Sequence, residues 1–187
     1  LSGCTTTQES EIKKTKEIVD MRGKTITIPK NPKKVAIVDK GFIVQTMVAM
    51  GIEDKIVASG GIIQSNNEKP KDRDSLYLFP EILDLPNIGY TFGGFDYETL
   101  AMADPDIVLW RNSEYIKDNE ITIEAMDKIE NEFQIPLVVI NGSGCYDEPK
   151  LETHYEGVEL IGKVFDQEER AKEIVDCMKE QISVIKT

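Results

Sequence analysis

Four short runs of aliphatic and β-branched residues recur along this chain, at 35–38, 55–59, 107–109 and 137–140. Each has the length of a strand, and none shows the alternation of a strand with one wet face. Runs of this kind are strands buried on both sides, the environment of a parallel sheet covered by helices. The segments between them supply those helices. Phe42–Met50 has helical apolar spacing and stops at Gly51, and a short helix is expected over residues 75–83. Residues 121–133 read as an amphipathic helix with Ile121, Ala125, Met126 and Ile129 on one face. The expected fold class is α/β: a mostly parallel sheet with helices on both faces.

The ends of the four runs carry the functional expectation. Each leads into a glycine or polar loop: Asp39 to Gly41, Ser59 to Gly61, Trp110-Arg111, and Asn141 to Gly144. In open α/β sheets ligands bind outside the carboxyl ends of the strands. Residues 89–111 concentrate the signal. They begin as a glycine-rich aromatic loop and become a helix over 96–103, with Asp96 as N-cap and Glu98 and Thr99 in its first turn. Asp104-Pro105 ends that helix, because the residue before proline is pushed out of the helical region. Six of the 13 aromatic residues lie between Tyr90 and Tyr115, and aromatic faces suit a flat or aromatic chelate. Tyr90, Phe92 and Trp110 are assigned to ligand, whereas Phe95 and Tyr97 are assigned to the core. Arg111 either grips an anionic ligand group with its planar fork or forms a surface salt bridge. Asp39 and Lys40, at a helix start, either touch ligand or, in the case of Asp39, cap the helix.

Composition excludes several function classes. The formal charge is −12, from 22 basic and 34 acidic side chains. That charge argues against nucleic acid or an anionic membrane surface as main partner. The three cysteines, Cys4, Cys145 and Cys177, are widely spaced and give neither a zinc pattern nor a disulfide framework. His154 is the only histidine. A histidine-based metal site or a Ser-His or Cys-His pair is therefore not expected, and Cys145 with His154 is too little for one. Gly142-Ser143-Gly144 lacks the lysine and spacing of a phosphate loop. No catalytic set and no resident cofactor are expected.

The two ends of the chain differ from its middle. Residues 1–17 read as a flexible polar tether behind Leu1-Ser2-Gly3-Cys4. Ile18-Val19-Asp20 and Thr25–Pro29 form a hairpin around Gly23. Residues 18–150 form the α/β unit. Residues 151–187 form a helix pair, divided where Asp166 and Glu169 resemble a capping box. The second helix carries an apolar stripe of Ala171, Ile174, Val175, Met178, Ile182 and Ile185 that must pack on something.

Four matches, in order, carry a family resemblance. They are the lead-in from Asp20-Met21-Arg22-Gly23-Lys24 to Pro32-Lys33-Lys34-Val35; Ile88-Gly89 followed by Tyr97-Glu98-Thr99-Leu100-Ala101; Asp104-Pro105-Asp106-Ile107-Val108; and Glu159-Leu160-Ile161-Gly162-Lys163-Val164-Phe165 with Glu168-Glu169-Arg170-Ala171. From Ile18 onward the chain resembles the N-terminal lobe of a class III periplasmic-type substrate-binding protein. That family serves ABC importers of iron-siderophores, haem and cobalamin. The resemblance implies a non-enzymatic receptor whose ligand, an iron or cobalt chelate, sits between two lobes. It implies that the last helix begins the long inter-lobe connection, with the second lobe absent from this sequence. The loop over residues 61–86 is longer than in compact members. The implied partners are the transmembrane subunits of an ABC permease, with Glu98 at the family's docking position. Leu1-Ser2-Gly3-Cys4 resembles a lipobox, which makes Cys4 the lipidation site and the membrane its anchor. Two rival readings stand beside this one. One is a self-associating α/β module, using the last helix's stripe as a homodimer seam. The other is a small doubly wound enzyme.

Overall fold

In a computed structural model the chain is described over residues 14–61, 74–90 and 94–185. An N-terminal hairpin comes first, β1 (Thr15–Val19) paired antiparallel with β2 (Thr25–Pro29). There follow β3 (Val35–Val38), α1 (Phe42–Met50), β4 (Ile56–Gly60) and the short α2 (Asp74–Leu78). Next are the two-residue strands β5 (Gly89–Tyr90) and β6 (Gly94–Phe95), then α3 (Tyr97–Ala103) and β7 (Ile107–Asn112). The chain continues through α4 (Glu120–Asp127), β8 (Leu137–Asn141), α5 (Glu152–Phe165) and α6 (Glu168–Ile185). No described helix is long and apolar enough to cross a membrane.

The four apolar runs form one parallel sheet in the order β4-β3-β7-β8. Side chains alternate across it, as a period of two requires. Val35, Ile37, Ile107, Leu109, Val138 and Ile140 join one core with the hairpin, α1, α5 and α6. Ala36, Val38, Val108, Trp110, Leu137 and Val139 join the other with α3 and α4. Helices therefore cover both faces, and the α/β expectation holds.

Both sheet edges are closed by irregular chain. Along β4, Ser59 N–H donates to the Pro86 carbonyl at 3.0 Å, and Ile88 N–H to the Ser59 carbonyl at 3.0 Å. Along β8, Met21 N–H donates to the Val139 carbonyl at 3.1 Å, and Val139 N–H to the Asp20 carboxylate at 3.1 Å. Asp20 also accepts from Arg22 Nε at 2.7 Å, and Arg22 reaches Glu130 at 3.0 Å. Unpaired strand edges template association, and these contacts remove them.

Several expectations need correction. The polar tether expected over residues 1–17 gives way to β1 at Thr15, because Thr15, Lys16 and Glu17 find partners in Pro29, Ile28 and Thr27. The helix expected over 75–83 divides into α2 and a 3₁₀ segment, Pro80–Asp84, since Pro80 cannot continue an α-helix. In α4 it is Thr122, not Ile121, that shares the buried face with Ala125 and Met126, and Ile121 is 56% exposed. Asp166 is not a capping-box residue. It ends α5 in the left-handed region at φ 55° and accepts from Lys16 Nζ at 2.7 Å.

The stripe on α6 is not a bare seam. Ala171 and Val175 are buried, and Ile174, Met178 and Ile182 pack against the chain's own first core. Gly162 allows this approach, because a Cβ there would lie 2.5 Å from that of Ala171. Residues Ala171 to Ile182 of the stripe thus find cover within the chain. Residues 1–13, including Cys4, and the loop residues 62–73 lie outside the described residues.

Candidate functional site

The carboxyl ends of β3, β7 and β8 open onto a cleft of about 600 Å³. Its wall includes Asp39 and Lys40 after β3, Phe42 on α1, Tyr90, Arg111 and Asn112 on β7, the loop from Gly142 to Gly144, and His154 on α5. Topology assembles these residues: each strand of the sheet ends at the same side, so loops distant in sequence meet there.

Arg111 is the best-positioned polar group. It follows Leu109 in the parity of β7 and so emerges on the α1 side of the sheet. Its guanidinium lies over the Phe42 ring, with Cζ 3.9 Å from the centroid. Its Nη1 is buried and has no hydrogen-bond partner among the described residues. Burial draws the pKa of Arg111 below its ordinary value, against the opposing pull of the Asp39 carboxylate and of Cys145. Stacking holds the fork in place without using its donors. The expectation of a surface salt bridge for Arg111 is not met among the described residues.

Asp39 is buried, and its Oδ2 accepts from Gly41 N–H at 2.9 Å and Ile43 N–H at 2.6 Å. The N-cap position is Gly41, not Asp39; the carboxylate acts from two residues earlier, accepting the Ile43 N–H of the first turn. Burial pushes its pKa up, while the N–H groups of Gly41, Ile43 and Lys40 and the charge of Arg111 pull it down. Lys40 is exposed, and its Nζ stands 5.2 Å from the centroid of the Tyr90 ring. Burial raises the pKa of Tyr90, and the Asp39 charge adds to the effect. Gly61 makes room for the Tyr90 ring, and Gly60 for the backbone that precedes it. A Cβ on Gly61 would come within 2.9 Å of that ring, and one on Gly60 within 2.2 Å of the Gly89 carbonyl.

Trp110 is not a ligand residue. It is fully buried and stacks on Phe95 with centroids 5.9 Å apart, in the second core. The strand alternates, so Trp110 and Arg111 cannot face the same way. The core assignment of Phe95 and Tyr97 agrees with their packing, Tyr97 stacking on Phe133 at 5.7 Å. Phe92 lies outside the described residues. Glu98 is exposed in the first turn of α3, as expected, and Asp96 caps that helix through Thr99 N–H at 2.9 Å.

Sequence reasoning missed Phe42, Gln45, Glu114 and His154 as cleft residues. Phe42 carried one signal: it opens the helix directly after a strand-end loop. Glu114 sits three residues beyond Arg111. His154 carried none. It rests edge-on against Phe42, centroids 5.6 Å apart, and its Nδ1 is buried without a partner among the described residues. Cys145 is buried nearby, but among the described residues no cluster of three potential metal ligands occurs.

Residues 36–187 match a family model described as "Periplasmic binding protein". No curated protein matches the sequence. Among solved structures, a periplasmic solute-binding protein of Veillonella parvula shares 22% identity at a TM-score of 0.67, over 92% of this chain and 47% of that one. The petrobactin-binding protein YclQ of Bacillus subtilis shares 18% at 0.66, over 91% and 52%. The molybdate-binding protein MolA of Haemophilus influenzae shares 22% at 0.64, over 86% and 49%. At these identities the likeness is one of fold, and this chain spans about half the length of each.

Proposed function

The chain belongs to the periplasmic binding protein family, and from that premise we propose that it is one lobe of the solute-binding component of an ABC importer, taking an iron or corrinoid chelate into its cleft. The family is one of solute-binding rather than bond-making proteins, so the chemistry is recognition. The observation that carries the ligand class is Arg111: a half-buried cation whose buried Nη1 has no partner among the described residues, fixed on Phe42 at the cleft wall. With Lys40 beside Tyr90, the cleft presents positive charge in a chain of net charge −12. Asp39 and Glu114 line the same cleft and the Asp39 charge acts on Arg111, but Asp39 Oδ2 is committed to backbone N–H groups, so Nη1 of Arg111 is left without an acceptor among the described residues. An anionic chelate supplies the acceptors that Arg111 lacks, and Phe42 and Tyr90 supply apolar contact for its organic part.

The remaining roles follow from the same reading. The ligand would be shared with a second lobe and delivered to the permease's transmembrane subunits. Glu98, exposed on α3, would set the docking register by charge. Cys4 would carry a lipid anchoring the receptor at the extracytoplasmic face of the membrane. Titration with ferric siderophores, haem and cobalamin tests the ligand class, with molybdate as an oxyanion arm. Saturable binding of one chelate supports it; binding of molybdate alone, or of nothing, overturns it.

A further inference from the structure

We propose that His154 is a ligand-contacting residue of the cleft that takes up a proton as the anionic chelate binds. The inference rests on the chelate reading above. Three observations carry it. His154 lines the cleft from the start of α5. Its Nδ1 is sealed from solvent with no hydrogen-bond partner among the described residues. It also shares one aromatic neighbour with Arg111, since the Phe42 ring meets His154 at an interplanar angle of 74° and carries the guanidinium over its face.

The surroundings of His154 penalise an imidazolium. Burial lowers the pKa of His154, and the charge of Arg111 lowers it further. The other charged or titratable groups lining the same cavity are Asp39, Lys40, Tyr90, Glu114 and Tyr115. On its own helix Glu152 and Glu156 are exposed to solvent. Asp39 is bound to backbone N–H groups. An anion brought against Arg111 reverses the balance, because it neutralises the repelling charge and attracts the imidazolium. By linkage, whatever raises the pKa of His154 on binding must bind more tightly as pH falls.

His154 is the only histidine, so its imidazole proton resonances need no assignment. The test titrates them by NMR in the 187-residue chain, alone and with the gallium(III) complexes of a tris-catecholate, a tris-hydroxamate and citrate. Affinities for the same complexes are measured from pH 5 to 8 in the wild type, His154→Gln and His154→Asn. The expected result is a titration midpoint that moves up on binding, with an affinity gain towards low pH of about 10-fold per pKa unit of that shift. Either folded variant should lose this pH slope while still binding at pH 8. Binding with an unmoved midpoint, or with the same slope in the variants, overturns the proton linkage alone. Binding of no complex at any pH overturns the chelate reading and the linkage with it.

Discussion

Trp110 and Arg111 are neighbours on β7 and have opposite fates. Trp110 turns to the α3 and α4 side and disappears into the core beside Phe95. Arg111 turns to the α1 and α5 side, where the sheet stops and the cleft begins. The two sides are built for different ends. One is filled with side chains up to the strand terminus. The other leaves a cation on an aromatic ring at the wall of a cleft. One step of strand parity thus separates a core side chain from one at the cleft wall.

Substitutions can break this division. The largest effect belongs to Trp110→Ala, expected to cost about 3–5 kcal/mol in denaturant unfolding. Its chelate affinity, measured on the folded fraction, should stay near wild type. Arg111→Met should do the reverse. Charged hydrogen bonds contribute about 1.5–3 kcal/mol, so affinity for an anionic chelate should fall about 10- to 100-fold, with no loss of unfolding free energy. A third test concerns Glu130, where burial raises the carboxyl pKa but is outweighed by Arg22 and Lys24, leaving it lowered from 4.5. Stability from this group is present above the unfolded value and is lost as pH falls through the folded one. Glu130→Gln should therefore unfold more easily at pH 7, and its difference from wild type should shrink below pH 4.5. Asp96→Ala removes the cap of α3 and should cost about 1 kcal/mol. Glu98→Gln should change neither stability nor chelate affinity; only association with the permease should weaken, and an altered chelate affinity would remove Glu98 from the docking role.

Much of the fold was legible because local signals and global packing agree. The four apolar runs became the four strands of one sheet, and Asp96, Asp104 and Gly51 punctuate helices where their chemistry predicts. The cleft was half legible. That strand ends converge follows from a parallel sheet, and Asp39, Lys40, Tyr90 and Arg111 are there. The failure with Trp110 has a physical cause. A strand buried on both faces hides its parity, so nothing local distinguishes the residue facing a helix from the one facing a void. His154 stands 43 positions beyond Arg111 in sequence and meets it only through α5 packing. That packing depends on Gly157, where a Cβ would lie 3.1 Å from both Phe42 and Ile140. The α6 stripe shows the converse error: its periodicity was plain, but not that the partner lay within the same chain.

The seal on the outer edge of β8 has a consequence for the order of assembly. Asp20 and Val139 are 119 positions apart, so the hairpin made first closes the edge of the strand made last. Closing so long a loop is entropically expensive and becomes favourable only when both ends are structured. During synthesis the hairpin therefore waits for nearly the whole lobe. Until then the growing sheet offers β7, and then β8, as an open edge. The Asp20–Arg22–Glu130 cluster works as a final latch, and its loss should appear in the late steps of folding before it appears in the finished shape.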